Sequence, residues 1–423
     1  MKRTRGRKSA TAGALLRICS RVRIGFDHST SRTTREKRPS GAGAQLDRCT
    51  VKKACFVFVA ILLCLVGSRA LRSTSVAAQQ PQTVNVPTLP YKVVPDFFKL
   101  SPDMNFGEVL GVTVNSKGHV VVLNHPGSAT TGPLYGNATT QLLEFDANGK
   151  FVREIGKGVY GLGYAHSVRF DKYDNLWVVD KGTDSVMKFN PAGSVVMNLG
   201  RREEGYHGEN PHHVDFSEGA PVHRDGFFNA PTDIAWDAAD NMYISDGYIN
   251  SRVAKVDKNG VWIKSWGTRG TEPGQFRTPH NIAVDRQGTV YVADRSNSRI
   301  QVFDSDGNFK RIYKINVSYD KTRQPVLGNR LPNPPDETAP GVLCITEGPT
   351  QYLFTSDMDP GRVYKLALDG TILGVFGEGG RLVGQFNWVH ALSCRTEDTI
   401  YAADMNNWRV QKFVLQPERT TRR

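Results

Sequence analysis

What the chain has little of narrows it first. No stretch shows sustained helical periodicity, which excludes an architecture of packed helices. Past residue 80 net charge is almost absent, with 37 Lys and Arg against 38 Asp and Glu. The formal charge of +13 comes from residues 1–80, which hold 17 basic and 3 acidic side chains. The basic pI is therefore no argument for nucleic acid as a partner. Cysteine is scarce as well: Cys19, Cys49, Cys55 and Cys64 lie near the start, and only Cys344 and Cys394 follow. Both of these stand in strand-like runs and are read as two buried thiols, a disulfide staying open in an oxidising compartment.

Residues 54–67 form an uncharged apolar run of fourteen, shorter than the roughly twenty residues of a bilayer-spanning helix. Lys52 and Lys53 precede it, and Val76-Ala77-Ala78 follow it. A positive flank, an apolar core and a small-x-small site describe a secretory signal peptide over 51–78. The expected place is secreted or periplasmic, with membrane attachment only if that segment is retained as an anchor. Residues 1–50 are expected to be a basic disordered extension, with Val51 as an alternative start of translation. A linker is expected over 79–100, one folded domain over 101–416 and a disordered tail over 417–423.

What is present is a repeat. Residues 167–180, 233–246, 281–294 and 391–404 align with one another, and degenerate copies begin at Gly111 and Gly341. Each unit reads as a short apolar strand, a turn rich in Asp, Asn and Gly, and a second strand of aromatic and β-branched residues. A third and a fourth strand follow, separated by further Asn-Gly or Asp-Gly turns, whose residues tolerate positive φ. Six units of four strands, at a period of roughly 45 to 65 residues, predict an all-β, six-bladed β-propeller that folds as a monomer.

His166, His280 and His390 each stand fourteen residues ahead of an aspartate of the repeat: Asp180, Asp294 and Asp404. They open the first strands of units two, four and six, which face the central channel. Alternate blades of a six-bladed ring lie about 120° apart, so three imidazoles point inward from a trigonal arrangement. Thr232 and Leu110 hold that position in units three and one, so histidine is not simply a property of the repeat. Three neutral imidazoles with an open fourth position suit Zn²⁺. His207, His212, His213 and His223 cluster in the insertion 200–228 and read as solvated loop residues.

The units resemble NHL repeats, carried by Pro279-His280-Asn281-Ile282 and by the stretch from Asp294 to Ile300. More specifically, the chain resembles the peptidyl-α-hydroxyglycine α-amidating lyases. The carrying residues are Ala165-His166-Ser167, Pro231-Thr232-Asp233, Ser245-Asp246-Gly247-Tyr248, Pro279-His280, Ala293-Asp294-Arg295-Ser296 and Val389-His390. The resemblance implies zinc on the three histidines, Tyr248 as the active-site tyrosine and Arg295 facing the substrate. It also implies a reaction that splits a small peptide or carbinolamide ending in α-hydroxyglycine into an amide and glyoxylate.

Departures from the pattern fall around the same site. His125 stands about where the family has a second arginine, and Trp388 replaces a methionine; both are read as substrate-binding positions. An imidazole is no substitute for a bidentate guanidinium. Ala391 replaces an aspartate linked to a structural calcium, so the case for Ca²⁺ is weaker than that for zinc. Two other functions stay open: a non-catalytic NHL propeller that binds protein, peptide or glycan, and a lactonase-like calcium hydrolase. The second needs carboxylates on the axis, where this chain has imidazoles.

Overall fold

Six four-stranded antiparallel sheets follow one another along the chain, in agreement with the six units. The computed structural model describes residues 84–126, 140–200, 223–319, 338–357 and 361–416. The stretches expected to be a basic extension, a signal peptide and a tail, together with His28, His207, His212 and His213, lie outside the described residues. Among the described residues no helix is long and apolar enough to cross a membrane.

The innermost strands, in blade order, are Glu108–Val114, Ala165–Phe170, Pro231–Trp236, Pro279–Val284, Pro340–Ile345 and Val389–Thr396. Each touches the inner strands of both neighbouring blades, and the sixth touches the first, which closes the ring. The second strands, such as Leu176–Asp180 and Val290–Asp294, are buried along their whole length. They are covered by adjacent blades on both faces, so they read as apolar runs rather than alternating ones. Outermost strands such as Val195–Gly200 and Phe309–Tyr313 meet solvent, the first exposing Val195 and Val196 and the second Phe309, Lys310 and Arg311. The core lies between blades; one cluster joins Leu123 and Leu142 of the first blade to Val168, Val178 and Phe189 of the second.

The hairpins between first and second strands of blades one to four share one device. Asp171 accepts backbone N–H bonds from Tyr173 and Asn175, and Asp237 does the same for Ala239 and Asn241. This Asx arrangement stabilises the turn and places Asp174 and Asp240 at φ of 61° and 67°.

Two features depart from expectation. Tyr91–Val94, inside the stretch read as linker, pairs with Arg409–Leu415 as the outermost strand of the sixth blade. Its partner lies at the far end of the chain, so no local hairpin pattern marks it. Cys344 and Cys394 are not two free thiols. They form a disulfide with Cα atoms 5.9 Å apart, stapling the inner strand of the fifth blade to that of the sixth.

Candidate metal centre

The ladder between the first and second strands of each blade skips one residue at the same place. The register passes from Ala165 to Ser167, from Pro279 to Asn281 and from Val389 to Ala391, leaving His166, His280 and His390 unpaired. In the other three blades the skipped residues are Leu110, Thr232 and Gly341. A bulge re-aims the extra residue's side chain. Here six bulges form a ring around the channel, histidines alternating with other residues.

The alternation has a purpose in hydrogen bonding. His166 Nδ1 donates to Thr232 O, His280 Nδ1 to Gly341 O and His390 Nδ1 to Leu110 O, each at 2.7 Å. Each histidine thus spends its Nδ1 proton on the bulge carbonyl of the next blade, leaving Nε2 unprotonated and able to act as a metal ligand or hydrogen-bond acceptor. Ring centroids lie 4.7 to 5.1 Å apart, and one ligand atom from each ring lies within 4.8 Å of the others. Burial holds His166 and His280 well below the usual imidazole range, reinforced by His390, Lys181 and Arg295 at the first and by Arg295, His166 and His390 at the second. Burial likewise pushes His390 down to about 3. Neutral imidazoles with oriented tautomers and convergent lone pairs fit a zinc ion.

The repeat aspartates position this ring rather than joining it. Asp180 accepts from Tyr164 N, Asp294 from Arg277 N and Asp404 from Asn387 N, two or three residues ahead of the histidine each time. Arg299 and Arg409 pair with Asp294 and Asp404 at 2.8 and 3.0 Å. In the second blade Ser185 stands opposite Asp180 where other blades place that arginine. Burial raises Asp180 to about 6, against its backbone hydrogen bonds, and raises Asp246 to about 6 even with Arg252 beside it.

Further along the inner strands, Arg169 reaches across the channel. Its guanidinium donates to both carboxylate oxygens of Asp233 (3.1 and 2.7 Å), to Asn281 Oδ1 (3.1 Å) and to Leu343 O (3.1 Å). One side chain thus ties the inner strands of blades two, three, four and five.

Tyr248 completes the site. Its hydroxyl lies 3.1 Å from Nε2 of both His166 and His280. Burial pushes its phenol up, but Arg295 and Lys181 outweigh burial and hold it below the usual tyrosine range. Arg295 Cζ lies 5.4 Å from the Tyr248 ring centroid and Lys181 Nζ 4.6 Å from it. Trp388, at φ 78°, stands two residues ahead of His390 and accepts a hydrogen bond from Met405 N. His125 is 1% exposed, with its ring edge-on to Tyr164 at 4.6 Å. Neither of its ring nitrogens makes a hydrogen bond of ordinary geometry, although the Ala165 backbone lies close enough to favour its protonated form. Burial, helped by Lys181, lowers it to about 4, so it is uncharged near neutral pH.

The structure thus brings His166, His280, His390, Tyr248 and Arg295 together. It adds Lys181 and Tyr164, which the sequence reading missed. The available signal was register: Lys181 follows Asp180 just as Arg295 follows Asp294.

A family model for the NHL repeat matches residues 276–303, in the fourth blade. Peptidyl-glycine alpha-amidating monooxygenase A of Xenopus laevis is 28% identical over 290 residues, covering 67% of this chain and 27% of its own length. The probable peptidyl-alpha-hydroxyglycine alpha-amidating lyase of Caenorhabditis elegans is 27% identical over 287 residues, 63% of this chain and 75% of its own. Peptidyl-alpha-hydroxyglycine alpha-amidating lyase 1 of Drosophila melanogaster is 26% identical over 343 residues, 74% of this chain and 58% of its own. This chain therefore spans about a quarter of the Xenopus relative. An auxiliary nutrient binding protein from Bacteroides ovatus superposes with a TM-score of 0.50 at 13% identity, over 77% of each chain, which shows the fold alone.

Fold and site together define a six-bladed β-propeller with a three-histidine centre on its axis and a match to the NHL repeat in its fourth blade. Within that class the chain resembles the peptidyl-α-hydroxyglycine α-amidating lyases.

Proposed function

We propose that this propeller is a zinc-dependent lyase acting on a small peptide or related carbinolamide that ends in α-hydroxyglycine. The observation carrying this reading is the Tyr248 hydroxyl, 3.1 Å from two imidazole nitrogens and beside Arg295. In the reaction the hydroxyl proton of the carbinolamide is lost as its C–N bond breaks. The hydroxyl-bearing carbon becomes the aldehyde of glyoxylate, and the nitrogen takes up a proton as the free amide. His166, His280 and His390 would hold the zinc, which supplies Lewis acidity toward that hydroxyl when bound. Tyr248, ionised more readily beside two cations, accepts the hydroxyl proton and returns one to the departing nitrogen. Arg295 pairs with the substrate carboxylate. Calcium has no part in this reading, because Ala391 stands where the lyases have the aspartate linked to a structural calcium.

The Cys344–Cys394 disulfide supports a secreted or periplasmic location, since such bonds persist in oxidising compartments. A second reading, a propeller that binds peptide or glycan without chemistry, draws on His125, an uncharged ring where the lyases have an arginine. The deciding experiment measures glyoxylate released from benzoyl-α-hydroxyglycine by the full chain, with and without a zinc chelator. Chelator-sensitive glyoxylate is the expected result, and zinc should be missing from H280A. No glyoxylate from zinc-loaded protein would overturn the lyase reading in favour of binding alone.

A further inference from the structure

The blades present a second ring of side chains beside the histidines. In four blades the first or second residue after the repeat aspartate donates its backbone N–H to the carbonyl two residues ahead of the bulge. These bonds run from Lys181 to Tyr164 O (3.1 Å), Tyr248 to Ala230 O (3.2 Å), Arg295 to Thr278 O (3.0 Å) and Met405 to Trp388 O (2.9 Å). Lys181, Tyr248 and Arg295 are therefore equivalent positions of consecutive blades, held at one level by one device.

Lys181 Nζ lies 4.2 Å from the Tyr164 ring and 4.6 Å from the Tyr248 ring. Arg295 approaches the same Tyr248, and its Nε is buried without a hydrogen-bond partner. Among the described residues neither cation has a carboxylate within 4 Å. Lys181 draws the Glu108 carboxyl down, yet burial holds that carboxyl above the usual range. Two cations converging on one phenol, neither in an ion pair with a carboxylate among the described residues, leave local positive charge. Desolvating such charge is costly unless an anion shares the space. His125 stands edge-on to the Tyr164 ring that Lys181 also approaches, with neither ring nitrogen in a hydrogen bond of ordinary geometry.

We propose that Lys181 and Arg295 form a two-cation seat for the ligand's carboxylate, with Lys181 determining specificity for acids over their neutral amides. The identity of the ligand rests on the lyase reading above; the seat itself does not. Lys181 supplies from the second blade the charge that His125 fails to supply from the first.

The test titrates the full chain with hippurate, which has the carboxylate but not the hydroxyl, and with its neutral amide, following the heat of binding. Wild type should bind hippurate and not the amide. K181M should weaken hippurate binding by at least about tenfold, the size of one charge-assisted hydrogen bond, with an unchanged thermal midpoint. K181R should restore it to within a few-fold, and turnover on benzoyl-α-hydroxyglycine should show the loss in KM more than in kcat. Unchanged hippurate binding by K181M, no binding by wild type, or equal binding of the amide would each overturn the seat. Wild-type protein that releases no glyoxylate, yet loses hippurate on K181M, would sink the lyase reading and leave the seat standing.

Discussion

The hydroxyl oxygen of Tyr248 lies 3.1 Å from Nε2 of His280, the nitrogen that would ligate a metal. His280 has already spent its Nδ1 proton on Gly341 O, so the phenol shares the metal's side of the ring without being needed to orient it. Tyr248→Phe is therefore expected to retain zinc and lose at least about a hundredfold in kcat, the usual worth of a positioned acid or base. Zinc content and turnover measured on one preparation check this. An unchanged kcat removes Tyr248 from the chemistry, and lost zinc makes it a structural partner of the histidines.

Arg169 and Asp233 form an ion pair at 2.7 Å, the carboxylate fully buried and the arginine largely so. Removing one member of such a pair strands the other. Arg169→Met should cost about 3–5 kcal/mol in urea unfolding, and adding Asp233→Asn should recover much of that. A loss under about 1 kcal/mol would show that the four blades joined by this guanidinium do not depend on it.

The Cys344–Cys394 disulfide closes a loop of sequence separation 50. Replacing both cysteines by alanine should lower stability by about 2–4 kcal/mol while zinc content stays unchanged. Alkylation of Cys344 or Cys394 in the unfolded, unreduced protein, located by peptide mapping, would contradict the bond.

Asp180 gives a pH signature. Its folded-state value is raised to about 6 from the ordinary 3.8, so the folded protein takes up this proton before the unfolded chain does. The stability it contributes is fully present below about pH 4 and is lost as pH rises through about 6. The buried histidines, all lowered, act in the opposite sense, so the difference between wild type and Asp180→Asn is the quantity to read. In metal-free protein, the urea midpoint of wild type should gain on that of the variant as pH falls from 7 to 5. A constant difference would place Asp180 near its ordinary value.

The ring of histidines is legible in the sequence because it recurs in one register of a visible repeat. The bulge that turns each one inward is not, since a one-residue slip in pairing leaves composition and spacing untouched. Lys181 stands in a register as clear as that of Arg295, but its chemistry appears only when the rings of Tyr164 and Tyr248 come up beside it. The disulfide escapes for a related reason: 50 residues separate its cysteines, and only the circular order of blades makes their strands neighbours. Tyr91–Val94 is hidden by its length and its prolines.

That last strand carries a consequence for how the molecule is made. Tyr91 pairs with Leu415, so in a chain synthesised from its N-terminus the strand that appears first finds its partner last. Through the formation of five blades it must wait with its backbone edge open, which is the condition under which strands pair wrongly. It has four residues, carries Lys92, and is flanked by Pro90 and Pro95. Proline offers no N–H to a stray neighbour, and four residues give such a neighbour little to hold. The same prolines that disguise the strand as a linker keep it from being claimed before its turn.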